Sequence, residues 1–227
     1  MKVRTVWKCI LIAAFVFLST EIQAQQSDKS VASHSGPSPQ IVEPINEGKL
    51  ISLTGSSLSP FRAARNRGAV DSDMVLGRMH LVFKRSTKQE SALRSLIGSQ
   101  QDIHSPLYHH WLTPEEFGDQ FGPAQEDVDK VTAWLQSKGI QITSVAKGRS
   151  RVEFSATHRQ IQSAFHTELH WFDTKSGRQY GNVSNPQIPA ALSPVIAGIG
   201  SLNSYVSRPM SHVVQQLSGN GGSTVSV

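Results

Sequence analysis

Ser105–Pro123, with the sequence SPLYHHWLTPEEFGDQFGP, is the densest run of aromatic side chains and turn signals in the chain. Its first two residues, Ser-Pro, predict a turn, because proline fixes its own φ and disfavours the helical region for the residue before it. Tyr108 and Trp111 follow as large side chains that favour burial with one polar edge satisfied. The stretch therefore predicts an aromatic junction between neighbouring elements.

The second half of this stretch predicts a short helix. Thr113 is a cap residue, Pro114 suits the first helical position, and Glu116 lies three residues after the cap, as a capping box requires. Phe117 and Phe121 are four residues apart and share one face of the helix. The glycine and proline that follow end this helix and permit the next to begin. The pattern alone predicts an aromatic clasp between two helices, with core packing as its simplest interpretation.

These residues resemble the signature segment of the activation pro-domain of the sedolisin–kumamolisin peptidases, the serine-carboxyl peptidases. The similarity covers about residues 73–209, and one departure is Ile103, where the family often has proline. The signature positions are Ser105, Pro106, Tyr108, His109, Trp111, Leu112, Thr113, Pro114, Glu116, Phe117, Phe121, Gly122 and Pro123. The similarity also includes Leu93, Leu96, Gln101, Asp102 and Asn185–Tyr205.

The order of predicted elements is strand, helices, strand, strand, helix, strand and a last hairpin strand. This order favours an α+β fold, a ferredoxin-like antiparallel sheet with helices on one face. The resemblance implies the same class, which subtilisin-type pro-domains share. The remaining face of the sheet is then the natural docking face.

Several segments have distinct local signals. Thr87 with Glu90 predicts the start of a helix that Gly98 ends, and Thr157 with Gln160 predicts another capping box. The other predicted elements are strands at 74–83, 140–145, 152–154, 169–172 and 178–183, a helix at 123–138 that Gly139 ends, and an extended, proline-rich arm with a helical turn after residue 185.

The sequence near the N-terminus indicates that the chain is exported. Residues 1–24 have the basic, apolar and small-residue regions of a secretory signal peptide, with an uncleaved membrane anchor as the alternative. Residues 25–72 predict a mostly disordered linker with a brief strand near Ile51 and Leu53, 73–209 the pro-domain, and 210–227 a flexible linker. Cys9 is the only cysteine, so no intrachain disulfide can form. We expect a secreted or periplasmic protein without a membrane segment after signal cleavage.

The formal charge of +5 gives little support for nucleic-acid binding. Arg62, Arg65 and Arg67 cluster in the predicted linker, but no basic stripe with interleaved aromatics follows. A solvated basic segment is the plainer interpretation, and no nucleic-acid partner is expected.

No catalytic set is predicted for this chain alone. The serine-carboxyl peptidases use a serine in a Ser-Gly-Thr-Ser context with a glutamate and an aspartate, and that serine motif does not occur here. Glu115 and Asp119 have the spacing of the carboxylate pair, but they belong to the signature segment and lack the serine. We therefore expect no enzyme, although the chain groups with serine-type peptidase precursors by resemblance.

Histidines invite two hypotheses. His166 and His170 are four apart, as in a helical zinc pair, but the helix should end near Thr167, so neither a metal nor a cofactor is predicted. In the second hypothesis, histidines at an interface sense acid, because they would weaken docking when they become charged. The alternative is that they are ordinary surface and core histidines. The candidate sensors are His80, His109, His110, His158, His166 and His170.

The resemblance implies a secreted pro-region, an intramolecular chaperone and inhibitor of a sedolisin-like acid serine endopeptidase, removed on activation. Its partner would be a cognate peptidase domain, in cis beyond Val227 or in trans, with Tyr205–Pro209 entering the cleft as an extended segment. One alternative is a secreted module that binds a polymer through an aromatic face of Tyr108, Trp111, Trp134 and Trp171. Another is a hydrolase that combines the histidines with Asp102 or Glu116.

Overall fold

The fold contains nine strands and four α-helices in residues 36–54, 61 and 63–204, the part of the chain that the computed structural model describes. The strands are β1 Leu50–Ser52, β2 Arg65–Ala69, β3 Val75–Phe83, β4 Gln141–Val145, β5 Arg151–Thr157, β6 Leu169–Thr174, β7 Gly177–Asn182, β8 Gln187–Pro189 and β9 Ile196–Gly200. The helices are α1 Thr87–Gln101, α2 Pro114–Phe121, α3 Gln125–Ser137 and α4 His158–Phe165, with a 3-10 turn at Ala190–Leu192. The predicted signal peptide (1–24), the tail Tyr205–Pro209 and the linker 210–227 lie outside the described residues. No helix in the described part is long and apolar enough to cross a membrane.

The central sheet has four antiparallel strands in the order β4-β5-β3-β9. In chain order these strands alternate with helices as β3, α1 to α3, β4, β5, α4 and β9. The predicted α+β class with an antiparallel sheet is confirmed, and the strand order is compatible with the ferredoxin-like arrangement.

The strand at the edge of this sheet differs from the prediction. The segment near Leu169–Phe172 was expected to be the fourth strand, but β6 pairs with β7 and β2 in a separate three-stranded sheet. The fourth strand is β9, within the segment predicted as an extended arm. Its sequence, IAGIG, has weak strand propensity, and a Cβ on Gly200 would lie 2.1 Å from the Nε2 atom of His80. Glycine at this position leaves room for the imidazole of the neighbouring strand, which would have to turn away if a side chain were present.

Helices α3 and α4 pack against the same face of the central sheet. The ring of Phe165 in α4 lies 5.6 Å from Trp134 in α3 and 6.2 Å from Phe154 in β5. Along β5 the buried side chains Val152, Phe154 and Ala156 alternate with partly exposed or exposed ones. The opposite side of the sheet, which we call the open sheet face, carries His80 and Glu153 and is not covered by these helices.

In residues 25–72, predicted as a mostly disordered linker, the brief strand expected near Ile51 and Leu53 is present as β1, but the disorder is wrong for the rest of the described residues. Strand β1 pairs with β8 and β2 pairs with β6, and Ile41, Leu53 and Val70 are buried in the core. Arg67, expected in a solvated basic segment, forms an ion pair with Asp173. Composition suggested disorder because the apolar residues are sparse; the order comes instead from pairing with segments more than a hundred residues away.

Residues 36–47, which we call the strap, lie along helix α3. The carboxylate of Asp127 accepts hydrogen bonds from the backbone N–H groups of Gln40, at 2.8 and 3.1 Å, and of Ile41, at 2.9 Å. Lys130 donates to the carbonyl oxygen of Ile41 at 2.7 Å. Asp127 is fully buried, so its charge is balanced by these donors and by its place in the first turn of α3.

The end of the strap is held by a second carboxylate, Glu47. The indole N–H of Trp134 donates to Glu47 at 2.8 Å, and the ammonium of Lys138 lies 2.9 Å from it. Partial burial alone would raise the pKa of Glu47, but the hydrogen bonds from Lys138 and Trp134 outweigh it, so that the pKa lies below its ordinary value of 4.5.

This lowered pKa predicts a small, pH-dependent effect of Glu47→Gln. A carboxylate with a lowered pKa stabilises the fold above its unfolded pKa, and that contribution is lost as the pH falls through the folded value. At about pH 7 the variant should be less stable by under about 1 kcal/mol, since the Glu47 side chain is 42% exposed. The difference should be smaller at about pH 3. Urea unfolding at both pH values measures it, and an equal difference at both would contradict this assignment.

Candidate functional site

The signature segment divides into a packed half and an exposed half. In the packed half, Thr113 caps α2, and its side chain accepts from the N–H of Glu116 at 3.2 Å while the Glu116 carboxylate accepts from the N–H of Thr113 at 2.8 Å. The backbone N–H and the hydroxyl of Thr113 both donate to this carboxylate and lower the pKa of Glu116. Phe121 is buried and lies 5.6 Å from Phe117. The predicted capping box and aromatic pair are therefore both present in α2.

Helix α2 rests on the turn between β4 and β5 through its glycine. A Cβ on Gly118 would lie 2.8 Å from the carbonyl oxygen of Lys147 and 3.2 Å from the Cα of Gly148. Ion pairs flank this contact: Lys147 lies 2.9 Å from Glu115, and Arg149 pairs with Asp119. The backbone of the turn thus packs directly against the helix.

Glu115 and Asp119, the two carboxylates with catalytic spacing, are each bound to a different cation of this turn. The hydrogen bond from Lys147 lowers the pKa of Glu115, and the same contact raises the pKa of Lys147. Both carboxylates border an open cleft of about 390 Å³ between α2, α3 and the turn. Their contacts assign them to holding α2 on the turn.

The exposed half of the signature is a loop, residues 103–111, which we call the aromatic loop. The ring of His109 stacks on Tyr108 at 3.8 Å and on Trp111 at 5.7 Å. The exposed fraction is 65% for Trp111, 36% for Tyr108 and 70% for Ile103. The prediction that Tyr108 and Trp111 form a buried clasp is wrong, because the loop turns their rings outward at the end of α1.

Gln100, the last buried residue of α1, positions this loop. Its carbonyl accepts from the backbone N–H of His109 at 3.0 Å, and its side-chain amide donates to the carbonyl of His110. His109 has a φ of 57°, in the left-handed region that non-glycine residues seldom adopt. Sequence reasoning missed Gln100, since a polar residue near a helix end gives no signal of burial.

His158, one of the six candidate sensors, is buried. Its Nδ1 atom lies 2.9 Å from the carbonyl oxygen of Val70, and its Nε2 atom accepts from the N–H of Leu169 at 3.0 Å. This imidazole joins the start of α4 to the first residue of β6 and to Val70, which directly follows β2. It has a structural role.

The other candidate sensors are spread over the surface. His80 lies on the open sheet face opposite Glu153, and His170 contacts Asn66 and Glu168. The remaining three are exposed, at His109 and His110 in the aromatic loop and at His166, the left-handed cap after α4. The six histidines form no single cluster, and acid sensing stays a prediction.

The residues of the two alternative functions are also separated. Trp134 is buried and bound to Glu47, and Trp171 is partly buried against Tyr180, so Trp111 is the one strongly exposed tryptophan in the described part. Asp102 accepts from the N–H of His104 at 2.9 Å, which makes it a loop cap. No group of three or more metal-ligating side chains is found in residues 36–54, 61 and 63–204.

Comparisons with known proteins agree on one family. The chain matches the family model "Pro-kumamolisin, activation domain" over residues 62–205. It is similar to xanthomonalisin of Xanthomonas sp. (strain T-22), with 25% identity over 198 residues, 87% of this chain and 23% of the relative. It is similar to sedolisin of Pseudomonas sp. (strain 101), with 23% identity over 132 residues, 58% of this chain and 22% of the relative. With aorsin of Aspergillus oryzae it shares 29% identity over 91 residues, 39% of this chain and 14% of the relative. The chain thus spans less than a quarter of the length of these relatives.

Proposed function

The chain belongs to the pro-kumamolisin activation-domain family, and from this premise we propose that it is the pro-region of a sedolisin-like acid serine endopeptidase. The observation that carries the proposal is the match to the activation-domain family model over residues 62–205. The similar peptidases are more than four times as long as the part of them that aligns with this chain. The pro-region would help its peptidase domain to fold, inhibit it, and be removed on activation. The chain itself would supply no catalytic residue.

The physical basis of both roles is differential binding. A domain that binds the folded peptidase but not its unfolded chain stabilises the folded state by mass action. If the two domains are joined, the effective concentration of one at the other is high, and cleavage of the connection removes this advantage. One interaction surface can therefore both assist folding and inhibit until the linker is cut.

Each segment of the chain has a part in this proposed function. Residues 1–24 would direct export and be cleaved, so the mature pro-region would act in a secreted or periplasmic setting. Residues 210–227 would form a protease-accessible linker, and Tyr205–Pro209 would enter the active-site cleft as an extended segment. The open sheet face, opposite α3 and α4, would contribute to docking.

The test is inhibition of a relative by the chain from Gln25 onward. We expect the chain to inhibit sedolisin or xanthomonalisin at about pH 7 and to be cleaved, with return of activity, at about pH 4. Among the candidate sensors, His80 lies on the open sheet face opposite Glu153 and would be under the docked partner. Activity assays and gel analysis of the added chain follow both steps.

Two results would count against this function. An absence of inhibition at both pH values, with several peptidases of the family, would contradict the pro-region role. Equal inhibition at both pH values without cleavage of the chain would retain the inhibitor role but exclude acid release. Heat-unfolded chain at the same concentration is the control for nonspecific inhibition.

A polymer-binding module is the second candidate, favoured by one observation. Tyr108, His109 and Trp111 form an exposed stack, as aromatic platforms for polymers do. Trp134 and Trp171 do not extend the platform, since the first is buried and the second is partly buried against Tyr180. Co-sedimentation with insoluble glycan or cell wall, and its loss in Trp111→Ala, would support this candidate.

A further inference from the structure

We propose that the aromatic loop, residues 103–111, is a docking hot spot for the peptidase domain, inserting Trp111 and Tyr108 into an apolar depression on that domain. The inference rests on the proposed function and assigns it a surface. It concerns a different part of the fold from the open sheet face.

The first argument is the composition of the exposed surface. Five large apolar side chains at the end of α1 and in the loop are exposed, namely Ile97, Ile103, Leu107, Tyr108 and Trp111. Four of the five lie within the nine residues of the loop, and grouped exposed apolar side chains mark interaction sites in soluble proteins. Tyrosine and tryptophan are the residues that most often dominate the binding energy of an interface.

The second argument is that the loop is held in one conformation before any partner binds. Backbone hydrogen bonds run from Ser105 to Asp102, from Tyr108 to Ser105 and from His110 to Leu107, each at 3.0 Å. Together with the two bonds to Gln100, they fix the loop on the end of α1. A pre-organised aromatic stack loses little conformational entropy on docking, so more of its contact energy contributes to affinity.

The third argument is that the large rings of this half of the signature are exposed in the described part of the chain, Trp111 by 65% and Tyr108 by 36%. The other half is accounted for by the contacts of α2 with the β4–β5 turn, through Gly118 and the ion pairs of Glu115 and Asp119. The rings of the aromatic loop contact one another and remain open to solvent. A left-handed His109 in such a loop is the kind of local strain that accompanies function.

The charge of the loop indicates the chemistry of the partner surface. Its neighbouring carboxylate, Asp102, already accepts the N–H of His104, and residues 103–111 contain no Asp, Glu, Lys or Arg. The loop therefore presents aromatic and aliphatic surface without a carboxylate of its own, which suits an apolar depression. The family relatives are more than four times as long as the matched part, and the peptidase domain is the occupant that the proposed function provides.

The experiment compares inhibition by variants at about pH 7, with the chain from Gln25 onward and sedolisin or xanthomonalisin as the probe. Trp111→Ala should weaken inhibition by about 30-fold and Tyr108→Ala by about 10-fold, as for central hot-spot residues. Val42→Ala is the matched control, because Val42 is 83% exposed but lies in the strap, and its effect should stay within about twofold. Urea unfolding should show all three variants as stable as the parent chain, since the replaced side chains are exposed.

The outcomes separate this inference from the proposed function. If the parent chain inhibits and Trp111→Ala and Tyr108→Ala inhibit equally well, the docking loop is overturned while the pro-region role stands. If the parent chain inhibits no peptidase, the proposed function fails and the inference fails with it. If Trp111→Ala abolishes self-association in sedimentation without changing inhibition, the occupant is a second copy and the inference is overturned. Should Trp111→Ala fold poorly, Tyr108→Ala decides alone.

Discussion

Asp127→Ala is expected to lower the free energy of unfolding by about 3 kcal/mol. Asp127 is fully buried, and its carboxylate accepts the backbone N–H groups of Gln40 and Ile41. Alanine would leave both donors without an acceptor, and hydrogen bonds to a charged group are about twice as strong as neutral ones. It would also remove a negative charge from the first turn of α3. The loss should loosen the strap at Gln40 and Ile41, while Lys130 and the contacts of Glu47 still hold it to α3.

Chemical unfolding measures this change, with Asp129→Ala as the matched control. Asp129 lies on the same helix but is exposed, and its carboxylate accepts from the exposed side-chain amide of Gln125, so its loss should change stability by under about 0.5 kcal/mol. Asp127→Asn should fall between the two, because one amide oxygen can still accept from the strap. Similar stabilities for Asp127→Ala and Asp129→Ala would show that the strap contributes little to the fold.

Asp127 also shows why the linker prediction was wrong. Its partners are 86 and 87 residues away, and no periodic pattern reveals a hydrogen bond of that range. Ile41 and Leu53 are core residues in a polar sequence, so composition indicated disorder. The strap and β1 also precede residue 62, where the family match begins.

Local signals were predicted with more success, because they depend on residues three or four apart. The capping boxes of Thr113 with Glu116 and of Thr157 with Gln160 are both confirmed. At α1 two overlapping boxes compete, and the structure uses Ser86 with Gln89 in place of the predicted Thr87 with Glu90.

The use of Ser86 and Gln89 at the start of α1 is explained by the partners of Glu90. The end of α1 also differs from the prediction. The carboxylate of Glu90 is occupied by Arg85 at 2.9 Å and by Arg94 at 3.5 Å. Gly98 was predicted to end α1, but the helix continues to Gln101, since the side that Gly98 faces is open and nothing forces the chain to turn there.

The sequence identified the segment that contains the candidate site, but not the exposure of its aromatic side chains to solvent. The sequence pattern marks Tyr108 and Trp111 as side chains that favour burial, and it cannot distinguish burial in the core from burial against a partner. The decisive contacts come from Gln100, through a backbone carbonyl and a side-chain amide that turn the loop outward. Strand β9 was missed because its pairing is also a long-range contact. The place of Gly200 beside the ring of His80 cannot be recognised from the sequence around it.

Gly118→Ala is expected to destabilise the fold by about 2 kcal/mol, although alanine is the better helix former by about 1 kcal/mol. The added Cβ would lie 2.8 Å from the carbonyl oxygen of Lys147, and that atom belongs to the backbone of the turn. The turn cannot withdraw easily, because Lys147 and Arg149 are paired to Glu115 and Asp119 on the same helix. Gly118→Val should cost more, since its branches extend the overlap.

Gly98→Ala is the matched control and should have the opposite sign. No heavy atom lies within 4 Å of a Cβ built on Gly98 in α1, so only the helix propensity changes, and stability should rise by about 1 kcal/mol. Urea unfolding of both variants tests the contact between α2 and the β4–β5 turn. If both alanines stabilise the chain, that contact is looser than the structure indicates. The presence of glycine at position 118 would then need an explanation other than this contact.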